Sequence, residues 1–183
     1  MNIRRVNLYG GPAAGKSTMA FFLAWKFKQS GYECDLIQEP IKHWTYLDRD
    51  AEGFSDQQFL TATQMQNEEV ALRKLQFIVT DAPLLMHCYY GWKFNRPCWE
   101  HEFKKAEEYE KEYPSLNIFL HRGSWKYSKI GRYQTEEEAL KMDKEVMDLI
   151  KPHIHLYEVK GDDYNGILHL LSEKGLPCNP MIY

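Results

Sequence analysis

The sequence has little cysteine, no excess of positive charge and no long apolar run, and each shortage removes a class of function. Its cysteines, Cys34, Cys88, Cys98 and Cys178, show no C-x-x-C spacing and have no histidine pairs near them at zinc-ligand intervals. They read as ordinary thiols, not as a disulfide framework or a zinc module. A formal net charge of −3 gives no general attraction to a phosphate backbone, which disfavours a duplex binder and leaves nucleic acid only to a local basic patch. No segment approaches membrane-spanning length, and Arg4 and Arg5 run into a glycine-rich stretch without the apolar core of a signal peptide. The expectation is a soluble protein of a reducing cytoplasm, with no membrane partner. His43, His87, His101, His121, His153, His155 and His169 form no triad or zinc pattern, and each reads as structural.

What is present is a chain of 183 residues, 44% hydrophobic and 14% aromatic, enough to fill the core of one domain spanning residues 1–183. Strand-like runs at Val6–Tyr9, Cys34–Gln38, Phe77–Thr80, Leu116–Leu120 and Leu156–Val159 alternate with helical patterns. The helices are expected from Lys16 to a stop at Gly31, over Ser55–Lys74, Leu84–Phe94, Glu100–Glu112, from a Thr135/Glu138 capping box to about Ile150, and over Tyr164–Leu171. Alternation of this kind predicts an α/β fold of three layers, with a parallel sheet of about five strands covered on both faces. Glu107 to Glu112 reads as a solvated helix face, and His153 and His155 as alternating along a strand with no carboxylate partner.

The strongest signal is Gly10-Gly11-Pro12-Ala13-Ala14-Gly15-Lys16-Ser17, lying between the first strand and the first helix. It matches the P-loop pattern, in which backbone N–H groups turn toward phosphates, Lys16 reaches the β and γ phosphates and Ser17 ligates magnesium. ATP and Mg2+ are therefore the expected cofactors, with Thr18 beside the α phosphate or simply on the helix surface. Asp81 closes the third strand and should face the same sheet edge, as a magnesium or water ligand or as an N-cap for the helix after Pro83. Glu39 ends the second strand ahead of Pro40, a second carboxylate at that edge.

The run Ile37-Gln38-Glu39-Pro40-Ile41-Lys42-His43-Trp44 resembles the Glu-Pro-x-x-x-Trp segment of deoxyribonucleoside kinases. The resemblance implies a P-loop kinase fold in which Glu39 is the base by the acceptor hydroxyl and Trp44 a wall of the acceptor pocket. It also implies a base-reading glutamine from the amide-rich helix, where Gln57, Gln58 and Gln64 are the candidates, since an amide both donates and accepts. That family carries an Arg directly after the acidic residue of the third strand, where this chain has Ala82 and Pro83. The segment 122–134 is a candidate lid with Arg122 and Arg132 to neutralise the transferring phosphoryl group. Its Gly131-Arg132-Tyr133-Gln134-Thr135-Glu136-Glu137-Glu138-Ala139 stretch also looks like that of small phage-type P-loop proteins related to nicotinamide riboside kinases, which would place the chain in the cytoplasm of a host cell.

The resulting expectation is an ATP- and Mg-dependent phosphotransferase acting on a nucleoside- or nucleotide-like acceptor, with Lys16, Glu39, Asp81, Arg122 and Arg132 catalytic. Two rival readings stand beside it. One is a DNA kinase acting on a modified base or DNA end, gripping a strand with Lys126, Lys129, Arg132, Trp125, Tyr127 and Tyr133. The other is a nucleotide-dependent switch without a small acceptor. Self-association into a homodimer is left open.

Overall fold

Five short runs rich in apolar and β-branched residues pair into one sheet in the computed structural model, which describes residues 3–38, 57–130 and 134–177. The strands are β1 (Arg5–Tyr9), β2 (Cys34–Ile37), β3 (Phe77–Thr80), β4 (Ser115–His121) and β5 (Tyr157–Lys160). Every pairing is parallel and the order is β2-β3-β1-β4-β5. All carboxyl ends therefore share one edge. Among the described residues the helices are α1 (Lys16–Gln29), α2 (Gln57–Leu72), α3 (Leu84–Lys93), α4 (Trp99–Glu112), α5 (Glu136–Ile150) and α6 (Tyr164–Glu173). None is long and apolar enough to cross a membrane.

Helices cover both faces of the sheet, as the alternating pattern requires. On one side Val6, Leu8, Val79, Ile118 and Leu120 pack with Met19, Leu23 and Phe27 of α1 and Ile167, Leu168 and Leu171 of α6. On the other, Tyr9 and Phe119 pack with α3, α4 and α5 through residues such as Leu85, Tyr89, Phe103, Met142 and Val146. Full burial of each aliphatic side chain contributes roughly 1.5–3 kcal/mol.

Helix ends follow local chemistry. α1 closes in a Schellman arrangement, with Gly31 at φ 84° and N–H groups of Tyr32 and Gly31 returning to the carbonyls of Phe27 and Lys28. Thr135 and Glu138 form both halves of a capping box on α5. Of the helix expected over 55–74, Ser55 lies outside the described residues and the described part ends at Leu72.

Two surface expectations are corrected. Glu110 is not on a solvated face: its side chain is 7% exposed and pairs with Arg5 at 3.0 Å. Arg5 also binds Glu68 at 2.7 Å, because a cation in a central strand has no water to turn to and must collect carboxylates. Asn7, Ser115 and Asn117 join this layer between β1, β4 and α4. His153 has a carboxylate partner after all, Glu107 Oε1 at 2.8 Å, and it sits in the turn before β5, which begins at Tyr157 and not at Leu156.

Candidate functional site

The centre of the sheet builds the site. β1 ends at Tyr9 and the chain turns through 10–15 into α1. Gly10, Ala13 and Gly15 hold φ of 137°, 64° and 92°, a region that glycine enters freely and alanine only under strain. A Cβ at Gly10 would stand 3.0 Å from the Leu120 carbonyl oxygen of β4, so close strand approach as well as the turn requires glycine there. Gly15 is the N-cap of α1, with no side-chain cap and no acidic residue in the first turn. The positive end of the helix dipole therefore faces the turn, an arrangement suited to an anion.

Lys16 folds back over the turn, its Nζ donating to the carbonyls of Gly10 at 2.7 Å and Gly11 at 3.0 Å. Ser17 Oγ donates to Asp81 Oδ2 at 2.5 Å. The two meet because β3 is the parallel neighbour of β1, with Asn7 level with Thr80, so residues just beyond both strands share one edge. Asp81 is 5% exposed, and its Oδ1 has no hydrogen-bond partner among the described residues. Ala14 is buried beneath the turn, whereas Thr18 is exposed on α1. Among the described residues no three His, Cys, Asp or Glu side chains cluster as a ready-made metal cage.

Arg122, just past β4, does not extend into solvent as a lid residue would. Its Nε binds Asp143 Oδ2 at 2.7 Å and its Nη1 donates to the Pro12 carbonyl at 2.7 Å. Asp143 Oδ1 in turn accepts from the Gly11 N–H at 2.6 Å. One carboxylate thus ties α5, the end of β4 and the turn together, and a Cβ on Gly11 would lie 2.5 Å from it. The Trp125 indole lies across the same turn, Nε1 donating to Ala13 O at 3.0 Å. It fits only because Gly15, Gly123 and Gly161 lack side chains: added Cβ atoms would meet the ring at 2.7, 2.1 and 2.9 Å. Asp162 accepts from the Ser124 N–H at 2.8 Å, fastening segment 122–130 to the turn after β5.

Gln57 and Gln58 lie together on the wall of a cleft of ≈ 180 Å³ between α2, α3 and the start of α4. Gln64 does not reach it. Fully buried, its amide donates to Glu68 Oε1 at 2.9 Å and Thr80 Oγ1 at 3.0 Å. Glu39, Trp44 and Arg132 lie outside the described residues.

Asp143 was absent from the sequence-derived candidates, although a signal existed. It stands on the stripe Ala139, Met142, Val146 and Ile150 that α5 buries, and a carboxylate on a core-facing stripe implies a partner. His87, 2% exposed on α3, lines the glutamine cleft, and burial lowers its pKa to about 4. Neither a protein-family model nor a curated protein sequence matches this chain.

Proposed function

We propose that the chain is a P-loop kinase of the nucleoside/nucleotide kinase-like kind, moving the γ-phosphoryl group of ATP to a nucleoside- or nucleotide-like acceptor with magnesium. The observation that carries this reading is the contact of Ser17 with Asp81 beside Lys16, at the carboxyl ends of two adjacent parallel strands. Ligands of open α/β sheets gather at that edge.

The donor set suits magnesium. Ser17 and Asp81 supply hard oxygen ligands, and magnesium is usually held by one or two carboxylates with substrate phosphates and water completing its shell. Bound there, the ion would neutralise charge on the β and γ phosphates. Lys16 would exchange its two carbonyl partners for phosphate oxygens, gaining charge-assisted hydrogen bonds. Backbone N–H groups of Gly15, Lys16 and Ser17, at the start of α1, would line the phosphates. Arg122 is a positioning residue: its Nε and Nη1 are committed to Asp143 and Pro12, and Nη2 is buried without a hydrogen-bond partner among the described residues. Glu39 as base, Arg132 as charge neutraliser and Trp44 as pocket wall follow from the resemblance alone. Gln57 and Gln58 are the acceptor-side candidates, while Gln64 supports the sheet edge from below.

ADP release by the purified protein with ATP and magnesium, across nucleosides, nucleotides, nicotinamide riboside and single-stranded DNA with modified bases, tests the reading. One acceptor that stimulates turnover and gains phosphate supports it, with turnover lost in Lys16→Ala. Phosphate appearing only on DNA would turn the assignment to a DNA kinase. ATP hydrolysis indifferent to every acceptor would turn it to a switch.

A further inference from the structure

Thr80 is the last residue of β3, 1% exposed, and its hydroxyl oxygen is used twice. Oγ1 accepts from the Ala82 N–H at 3.1 Å and from Gln64 Nε2 at 3.0 Å. The first bond closes over Asp81, the residue between. The second reaches into α2, where Gln64 Nε2 also donates to Glu68 Oε1 at 2.9 Å and Glu68 Oε2 accepts from Arg5 Nε at 2.8 Å. One run of buried hydrogen bonds therefore joins β1, α2 and the bend that carries Asp81.

Packing does not require a hydroxyl at this position. Valine has the same branched shape and suits a buried strand as well, and a buried hydroxyl is unfavourable unless it is bonded. The backbone gives the reason for threonine. Beyond Asp81 the next amide is that of Ala82, and the one after it is missing because residue 83 is proline. Ala82 N–H is thus the group that fastens the bend, and Thr80 Oγ1 is its acceptor. Asp81 is not spent on capping: α3 starts behind Pro83 with no side-chain cap. Its Oδ2 takes the Ser17 hydroxyl, and Oδ1 has no hydrogen-bond partner among the described residues. The direction of the carboxylate toward Ser17 is set through the backbone on either side of it, not through bonds to its second oxygen.

We propose that Thr80 is a positioning residue for magnesium binding: its hydroxyl, oriented by Gln64, fixes the bend that aims Asp81 at Ser17. The role rests on the magnesium-dependent site proposed above. Removing a group that orients a metal ligand typically lowers metal affinity by about 10–100-fold. Thr80 sits behind Asp81 and not beside Lys16, so its loss should act on the magnesium-dependent part of ATP binding alone.

The test is calorimetric titration with ATP, without magnesium and with saturating magnesium, of the wild-type chain, Thr80→Val, Thr80→Ser and Gln64→Met, with exchange of the Ala82 amide followed by NMR in the absence of ATP. Thr80→Val should keep the ATP affinity measured without magnesium, lose about tenfold of the strengthening that magnesium brings, and exchange its Ala82 amide faster. Thr80→Ser, which keeps the hydroxyl, should match the wild type in each respect. Gln64→Met keeps the side-chain volume and removes the donor to Thr80; it should weaken the magnesium effect in the same direction, and it decides the matter if Thr80→Val does not fold. An equal loss with and without magnesium, an unchanged magnesium effect in Thr80→Val or Gln64→Met, or a Thr80→Ser variant as impaired as Thr80→Val would overturn the role while leaving the magnesium site standing. ATP binding by the wild-type chain that is indifferent to magnesium would overturn the site itself, and the role with it.

Discussion

At Asp143 a single carboxylate holds two groups that the glycine-rich turn depends on, the Gly11 N–H and the Arg122 guanidinium. Replacing Asp143 with Ala leaves both without their acceptor, and leaving a partly buried donor unpaired costs about 1–3 kcal/mol. We expect Asp143→Ala to lose stability on that scale in urea unfolding and to weaken ATP binding about tenfold, the equivalent of about 1.4 kcal/mol. His87 makes a pH-dependent contribution with a definite sign. Its folded pKa of about 4 lies below the ordinary value of 6.5, so the unfolded chain takes up the proton first. Stability from this group is fully present above pH 6.5, falls as the pH drops from there, and levels off below about 4; the span corresponds to about 3 kcal/mol. Unfolding free energy measured across that window should lose this slope in His87→Asn. Residue-level reading of the sequence went as far as motif and spacing allow. The placement of Lys16, Ser17 and Asp81 at one sheet edge was legible because it follows from position along a strand–turn–helix unit. Asp143 and His87 were not, because each depends on contacts between elements distant in sequence.

Among the elements, α2 and α4 are attached to β1 by charge as well as by apolar packing. Arg5 bonds Glu68 of α2 and Glu110 of α4, and also donates to the Tyr113 carbonyl. Burial alone would lower the Arg5 pKa, but Glu68 and Glu110 outweigh it and the guanidinium stays charged. Glu68 is pushed up by burial, against the opposing pull of Arg5. Gln64 extends the layer to Thr80, one residue before Asp81. Removing one partner of a buried pair strands the other, at about 3–5 kcal/mol. Glu68→Ala should therefore lower unfolding free energy by about that amount, whereas a loss below 1 kcal/mol would mean that the layer contributes little. Most strands and helices were legible to within a residue or two, since apolar period and caps such as Thr135 are local. Glu110 was misplaced for the opposite reason: α4 is strongly acidic, and only the buried Arg5 across the sheet decides which glutamate turns inward.

For the molecule as a whole, the strand order β2-β3-β1-β4-β5 brings the turn after β1, Asp81 after β3, Arg122 after β4 and Gly161 after β5 to one edge. The α/β class and the all-parallel sheet could be read from alternation of elements, but the order could not, because periodicity carries no information on which strands are neighbours. That order is what sets Ser17 against Asp81 and Trp125 against Gly15 and Gly161. The central claim is that this edge is a magnesium-dependent site for ATP, and it can be tested without knowing the acceptor. Calorimetric titration of the protein with ATP in the presence and absence of magnesium is the most direct measurement. We predict one saturable site, strengthened by magnesium and weakened at least tenfold in Lys16→Ala; no binding, or equal affinity in Lys16→Ala, would contradict the account.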